Sequence, residues 1–384
     1  MTVVALLASV GVLVALPISS AQSAVTLPSG FAEAMVVGGL PKNSMDMEFA
    51  PDGRLFIATK AGEVRIVEPD GTLALFHDIS AKVATKGERG LQALAFDPDF
   101  ATNHYVYLNY TRKASATDPA HNRIMRVTAD GNKAVAGSGR LIFRLSEQLD
   151  ETWHQGGAID FGQDGKLYVA AGDNHTPSNA QSLSNLHGKM LRINKDGTIP
   201  TENPFYTTAS DNNRAIWALG LRNPFKFAVK PGTSTIFIND VGQAAWEEIN
   251  LGVSGANYGW PVYEGPDVYE GPESDAEYTP PIYAYGHGST DSTGCAITGG
   301  TFYNPNTVQF PSRYVGLYLF ADLCNGWIRE YDPETGMTSL FATGLSPETG
   351  LQGVVDLEVR ESGELYYLKR GSTSSVHKVW YAGN

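Results

Sequence analysis

The stretch IDFGQDGKLYVA, residues 159–170, is two short β-rich runs around a Gln-Asp-Gly turn. Such runs flanking turn residues describe a β-hairpin. The same pattern recurs as MEFAPDGRLFIA at 47–58, LAFDPDF running on to HYVYL at 94–108, and FAVKPGTSTIFI at 227–238. It appears again as TFYNPNTVQFPSRYVGLYLF at 301–320 and LEVRESGELYYL at 357–368, making six copies. Their spacing, roughly fifty to seventy-five residues, suits the four strands of a propeller blade plus variable loops. One hairpin cannot bury both of its faces, so six of them imply radial stacking into one closed domain with few exposed sheet edges. The expected fold is all-β, a six-bladed β-propeller spanning residues 25–384, with a β-sandwich as the competing architecture. No helical periodicity supports βαβ units.

Composition agrees with many short strands joined by turns: 41 Gly and 21 Pro are spread along 384 residues. Hydrophobic residues at 42% and charged residues at 18% suit a large packed core and exclude a disordered chain. The net charge of −13 excludes a surface that tracks nucleic-acid phosphates or anionic membranes.

At the N-terminus, an apolar run from Val3 to Ile18 is followed by small residues ending at Ala21 or Ala24. This reads as a cleavable signal peptide over 1–24, although the positive n-region is missing and a retained anchor is the alternative. No later segment is long and apolar enough to span a bilayer, so no stable membrane insertion is expected after cleavage, and the protein is expected to be secreted or periplasmic. An exported chain with only Cys295 and Cys324 is expected to pair them, buried free thiols being the alternative.

If each copy is the inner hairpin of a blade, the residues just before its first strand and just after its second emerge on one face. Counting back places Lys42, Arg89, His154, Arg222, Ala296 and Gln352 there. The exits add Thr59–Lys60, Tyr110–Thr111, Gly172–Asp173–Asn174, Asp240–Gln243, Asp322–Cys324 and Lys369–Arg370. Polar groups gathered at a propeller mouth build small-ligand sites or a solvated loop face.

His154 has a side chain suited to proton abstraction near neutrality, and Asp173 leaves the same blade in position to orient it. Arg222 and Asn223 in ALGLRNPF would need an anionic partner for the guanidinium, either a ligand or a structural carboxylate. NDVGQAAWEEIN offers Asp240, Glu247 and Glu248 ahead of NYGWP at 257–261, hard oxygen donors of the kind Ca²⁺ takes, without EF-hand spacing. A GxGxxG strand–helix loop, a CxxC pair and HExxH are all absent, which disfavours NAD chemistry. Asn109 and Asn174 lie in Asn-x-Thr sequons, and a glycan on Asn174 would obstruct the proposed face.

Five segments together make the chain resemble the soluble glucose/sorbosone dehydrogenases over about residues 28–380: RGLQALAFDPDF at 89–100, HQGGAIDFGQDGKLYVAAGDN at 154–174, HGKMLRINKDGTIPTENPF at 187–205, ALGLRNPF at 218–225 and DVGQAAWEEINLGVSGANYGWP at 240–261. The resemblance implies a six-bladed propeller that uses pyrroloquinoline quinone (PQQ) and Ca²⁺ to oxidise a sugar, passing electrons to a soluble or membrane acceptor. It implies that His154 takes the proton of the anomeric hydroxyl while hydride moves to the quinone, that Asp173 orients His154, and that Arg222 stabilises charge on the quinone oxygen beside Asn223. It further implies that the carbonyls of Gly242 and Gln243 bind the calcium under the cofactor. Glu248 and the Tyr258 carbonyl match part of a second, structural calcium site.

The match has gaps. Cys324, Gly353 and Val355 stand where glucose dehydrogenases carry a Lys and two Arg that bind the cofactor's carboxylates, and Glu88 stands where they tend to have Gln. Lys369 and Arg370 leaving the sixth repeat are the expected compensation, with Lys60 and Arg89 as further candidates. The competing readings are a non-catalytic extracellular sugar- or protein-binding propeller, like the receptor-like branch that resembles Hedgehog-interacting proteins, and a calcium-dependent lactonase or hydrolase.

Overall fold

The computed structural model describes residues 25–148, 151–272, 277–345 and 353–383; the expected leader at 1–24 and the candidate Gln352 lie outside them. Six antiparallel sheets, each with four strands on its main path, are arranged as a β-propeller. Every hairpin of the sequence repeat becomes the two inner strands of one blade. These are Ser44–Phe49 with Leu55–Thr59, Leu91–Phe96 with Tyr105–Arg112, and Gly156–Phe161 with Leu167–Ala171. Blades 4 to 6 repeat this with Pro224–Val229 and Ile236–Asp240, Ile297–Phe302 and Tyr318–Asp322, and Gly353–Val359 and Leu365–Arg370.

The N-terminal strand Phe31–Leu40 completes the sixth blade by pairing with Ser374–Tyr381. Phe31 is wedged edge-on among Phe310, Tyr314, Phe341 and Tyr381, with centroids 4.7–5.3 Å away. Burying one such ring stabilises by roughly 1.5–3 kcal/mol, and here it ties one chain end to the other.

The first strand of each inner hairpin touches the first strands of both neighbouring blades, which closes the ring. All six inner hairpins also break register once, near the same end, as at Ser44/Asp46, Pro224/Lys226 and Val354/Asp356. A bulge adds twist and re-aims the side chains that follow it. Beyond the bulges, Asp46, Ala158, Lys226, Gly300 and Asp356 line the axial channel, followed one pleat further by Glu48, Asp160, Ala228, Phe302 and Glu358.

Lys226 crosses the axis to the carboxylates of Asp46 and Asp356, the latter at 2.8 Å. Their other oxygens accept the Leu94 and Met47 amides at 2.8 and 2.7 Å, lacing blade 1 to blade 2 and blade 6 to blade 1. Glu48, Asp160 and Glu358 share the far end of the channel and make no ion pair among the described residues. Burial first, and repulsion from neighbouring acids second, raises Asp160 to about 6 and lifts Glu48 and Glu358 well above the usual carboxylate range.

Candidate active site

His154 lies two residues ahead of the inner strand Gly156–Phe161, at φ 51°, a left-handed conformation that turns the chain into the blade. The turn fits because residue 172 is glycine: a Cβ there would stand 2.2 Å from the His154 carbonyl oxygen. His154 Nδ1 is 2.7 Å from Asp173 Oδ1, and Arg222 Nη2 is 2.9 Å from His154 Nε2. A guanidinium only donates, so Nε2 is the acceptor and Nδ1 carries the proton toward Asp173. Asp173 is fully buried. Its Oδ1 also accepts the His175 amide at 2.7 Å, its Oδ2 accepts the Trp260 indole N–H at 2.9 Å, and its own amide donates to the Arg222 carbonyl at 2.8 Å. The imidazole is thereby fixed in one tautomer and one orientation.

Arg222 and Asn223 precede the inner strand of the next blade. Their backbone amides both donate to Asp240, at 2.9 and 2.6 Å, and Asp240 closes the second strand of that blade. Burial, then the nearby Glu248, pushes the Asp240 carboxyl well above its ordinary range, and the two amides oppose that rise. The guanidinium is held by the Val241 carbonyl at 2.8 Å and the Gln243 side-chain oxygen at 3.1 Å, over the Trp260 ring at 5.6 Å. Asn223 Oδ1 accepts the Gly156 amide at 2.9 Å, so the two blades are stitched together beside His154.

Beside this centre is a cavity of about 210 Å³ walled by Gly156, Asn223, Val241, Glu88, Lys60 and Arg370, with apolar surface from Met45, Phe225, Ala296 and Leu323. His154 and Arg222 are chain neighbours of two of its lining residues, Trp153, which is 45% exposed, and Asn223. Lys60 and Arg370 are half-buried. Burial lowers the pKa of both; Arg370 lowers Lys60 further, and Glu88 pulls both back up. Among the described residues neither cation makes an ion pair with a carboxylate. Lys60 donates to the Gly87 carbonyl and Arg370 Nε to Asn43 at 3.4 Å.

Of the two cations expected to leave blade 6 together, only Arg370 reaches the cavity. Lys369 is opposite Val354 and Ser375, and its charge acts on His377, because successive strand residues point to opposite faces. Arg89 donates to the Glu151 carbonyl at 2.9 Å, and Glu88 Oε2 accepts the Gln155 amide at 3.2 Å. Cys295 and Cys324 are joined by a disulfide. Asn109 and Asn174 are buried, which makes neither sequon accessible in the folded chain.

For the expected calcium ligands the picture is mixed. Among the described residues no three His, Cys, Asp or Glu side chains converge as a metal cluster. The carbonyls of Gly242, Gln243 and Tyr258 accept no hydrogen bond from any described residue. Glu248 bonds Asn250 and the Gly265 amide, whereas Tyr258 bonds the carbonyls of Leu219 and Leu251. Beside Glu248, Glu264 receives the amides of Gln243, Ala244, Ala245 and Trp246 on a single oxygen. Its other oxygen and Asn250 Oδ1 are buried with no hydrogen-bond partner among the described residues. Burial raises Glu248 to about 7, and Glu247 and Glu264 add to the rise.

The sequence reading assigned no role to Trp260, to the Gln243 side chain or to Glu264. NYGWP marked the place of Trp260, but nothing local shows that its indole meets Asp173, 87 positions away.

Against known proteins, the glucose/sorbosone dehydrogenase family profile matches residues 41–377. The aldose sugar dehydrogenase YliI of Escherichia coli is 30% identical over 287 residues, covering 72% of this chain and 74% of that one. Quinoprotein glucose dehydrogenase B of Acinetobacter calcoaceticus is 30% identical over 275 residues, 65% of this chain and 56% of that protein. The apo crystal structure of the soluble aldose sugar dehydrogenase from Escherichia coli superimposes with a TM-score of 0.78 at 25% identity, over 91% of this chain and 99% of the other.

Proposed function

Since the chain belongs to the glucose/sorbosone dehydrogenase family, we propose that it oxidises the anomeric or another hydroxyl of a sugar, using PQQ and calcium. The observation that carries this reading is the buried Asp173–His154 pair, whose only outward-facing ring nitrogen, Nε2, meets the guanidinium of Arg222. When bound, the quinone supplies the hydride acceptor and calcium polarises it.

The residues present fit both groups. A ligand with several carboxylates would complete Lys60 and Arg370, two partly desolvated cations that pair with no carboxylate among the described residues, and Asn223 stands in the same wall. The Gly242 and Gln243 carbonyls, which accept no hydrogen bond among the described residues, adjoin Val241 of that wall and suit a hard cation. Glu248, with the oxygens of Glu264 and Asn250 and the Tyr258 carbonyl that have no partner among the described residues, supports a second, structural calcium.

Within this reading the chain's own residues work as follows. Arg222 caps His154 Nε2. An oxygen acceptor in the cavity that drew the guanidinium away would free that nitrogen to take the proton of a sugar hydroxyl. Asp173 then stabilises the imidazolium through Nδ1, the role an orienting carboxylate plays beside a catalytic histidine. Arg222, held by Val241 and Gln243, is positioned to stabilise negative charge as it develops, an effect worth several kcal/mol in a dry site. Export from the cytoplasm belongs to the proposal and is supported by the Cys295–Cys324 bond.

The test is reconstitution of the purified chain with PQQ and Ca²⁺, followed by sugar-dependent dye reduction. Turnover that disappears in His154→Ala while bound-quinone absorbance remains is the expected result. A wild-type chain that takes up no quinone at micromolar concentration would favour the non-catalytic binding propeller, which the apolar residues at Cys324, Gly353 and Val355 otherwise suggest.

A further inference from the structure

Lys189 opens the third strand of blade 3, Lys189–Ile193, and is fully buried. No carboxylate is within ion-pair reach of it among the described residues. Its Nζ donates to three backbone carbonyls, those of Asn179 at 2.7 Å, Ala180 at 3.0 Å and His187 at 2.6 Å. An ammonium has three N–H donors, and all three are used. Burial lowers its pKa to about 7, and the charge that opposes this is Asp173. A buried cation without a counter-ion is unfavourable compared with an apolar side chain of similar size, so the reason for a lysine here lies in what it holds.

Two of the three carbonyls belong to the short 3-10 helix Pro177–Gln181. From this helix Asn179 donates to the Asp173 carbonyl at 2.9 Å, and Gln181 donates to the Trp260 carbonyl at 2.7 Å. Trp260 in turn donates its indole N–H to the Asp173 carboxylate. The Ala180 carbonyl also accepts the Gly220 amide at 3.0 Å, two residues before Arg222. Residue 188 has to be glycine for this approach: at φ 69°, a Cβ would be 2.7 Å from both Ala180 Cα and the Leu221 oxygen.

We propose that Lys189 is a positioning residue for the His154–Asp173 pair, its ammonium clamping the loop that holds the Asp173 main chain directly and its carboxylate through Trp260. Arginine would not substitute, because a planar fork does not match three carbonyls arranged around a tetrahedral nitrogen. The kinetic part of the test rests on the sugar-oxidising reading; the spectroscopic part does not.

The experiment compares Lys189→Met with wild type as full chains carrying PQQ and Ca²⁺. The expected result is a fall in kcat of about 10- to 100-fold, the scale of a small misplacement of a catalytic group, with KM and quinone affinity changed by less than about threefold. In the protein without quinone, the NMR resonance of the His154 Nδ1 proton should shift or vanish. Asn179→Ala and Gln181→Ala each remove one arm at a partly exposed or exposed position; they should move kcat and the same resonance in the same direction by less, and they decide the matter if Lys189→Met does not fold. A folded Lys189→Met with unchanged kcat and an unmoved resonance would overturn the proposal, as would a loss of kcat matched by an equal loss of quinone affinity. A wild-type chain that oxidises no sugar would count against the functional reading and leave the resonance to judge the positioning role.

Discussion

Blades 4 and 5 use the same device to different ends. In each, an aspartate closes the second strand and its carboxylate accepts two amides at the start of that blade's own inner strand. Asp240 holds Arg222 and Asn223 at 2.9 and 2.6 Å, and Asp322 holds Cys295 and Ala296 at 2.9 and 3.1 Å. In blade 4 the clamp presents a guanidinium to His154. In blade 5 it presents Ala296 and Leu323 as apolar wall, while the other Asp322 oxygen takes the amides of Cys324 and Asn325 and the disulfide binds the two segments. The backbone clamp is therefore scaffold, and chemistry depends on what it carries. Blade 5 contributes shape to the cavity, and its positive charge comes from Lys60 and Arg370 on blades 1 and 6.

The largest effect expected from breaking this contrast is at the histidine. His154→Ala should lower kcat by about three orders of magnitude, the scale on which catalytic groups of this kind act, with quinone binding retained on titration. Next, Asp240→Ala and Asp322→Ala should part company. Both should lower the melting temperature, but only Asp240→Ala should also cut kcat, by about 10²-fold, since it releases Arg222 and Asn223. Equal kcat losses in the two variants would mean that blade 5 takes part in the chemistry.

Smaller still is Cys324→Ser, which opens a link between residues 29 positions apart and should cost about 2–4 kcal/mol of stability, read as a lowered melting temperature with kcat unchanged. The smallest effect is expected at the far end of the channel. Glu48, Asp160 and Glu358 have folded pKa values raised above their unfolded ones, so the stability linked to them is present below about pH 4 and is lost as pH rises through about 6 and above. Glu358→Gln should flatten that fall and raise the melting temperature at pH 8 by a degree or two.

The repeat was readable because each inner hairpin is punctuated by its own turn residues; counting back from it put His154 and Arg222 just before the first strands of their blades, and in the structure each stands two positions ahead of its strand. Lys42 and Arg89 hold the equivalent positions in blades 1 and 2. Side-chain direction was not readable. Lys369 and Arg370 are adjacent in sequence and diverge in space, and the bulge at Val354/Asp356 that sets their register leaves no local mark. Nor were the long-range partners readable: Trp260 reaches Asp173 across the fold, and Glu264 caps four amides from a two-stranded hairpin with no motif of its own.

The proposed site joins the His154–Asp173–Arg222 cluster to a cavity whose positive charge comes from Lys60 and Arg370. Its most direct test is a PQQ titration of the Ca²⁺-loaded chain without quinone, comparing wild type with Lys60→Ala, Arg370→Ala and Lys369→Ala. Lys60→Ala and Arg370→Ala should each weaken binding by about tenfold or more, as loss of a charged partner of a buried anion would, while Lys369→Ala binds like wild type. Unchanged binding in the first two, or an equal loss in Lys369→Ala, would contradict it.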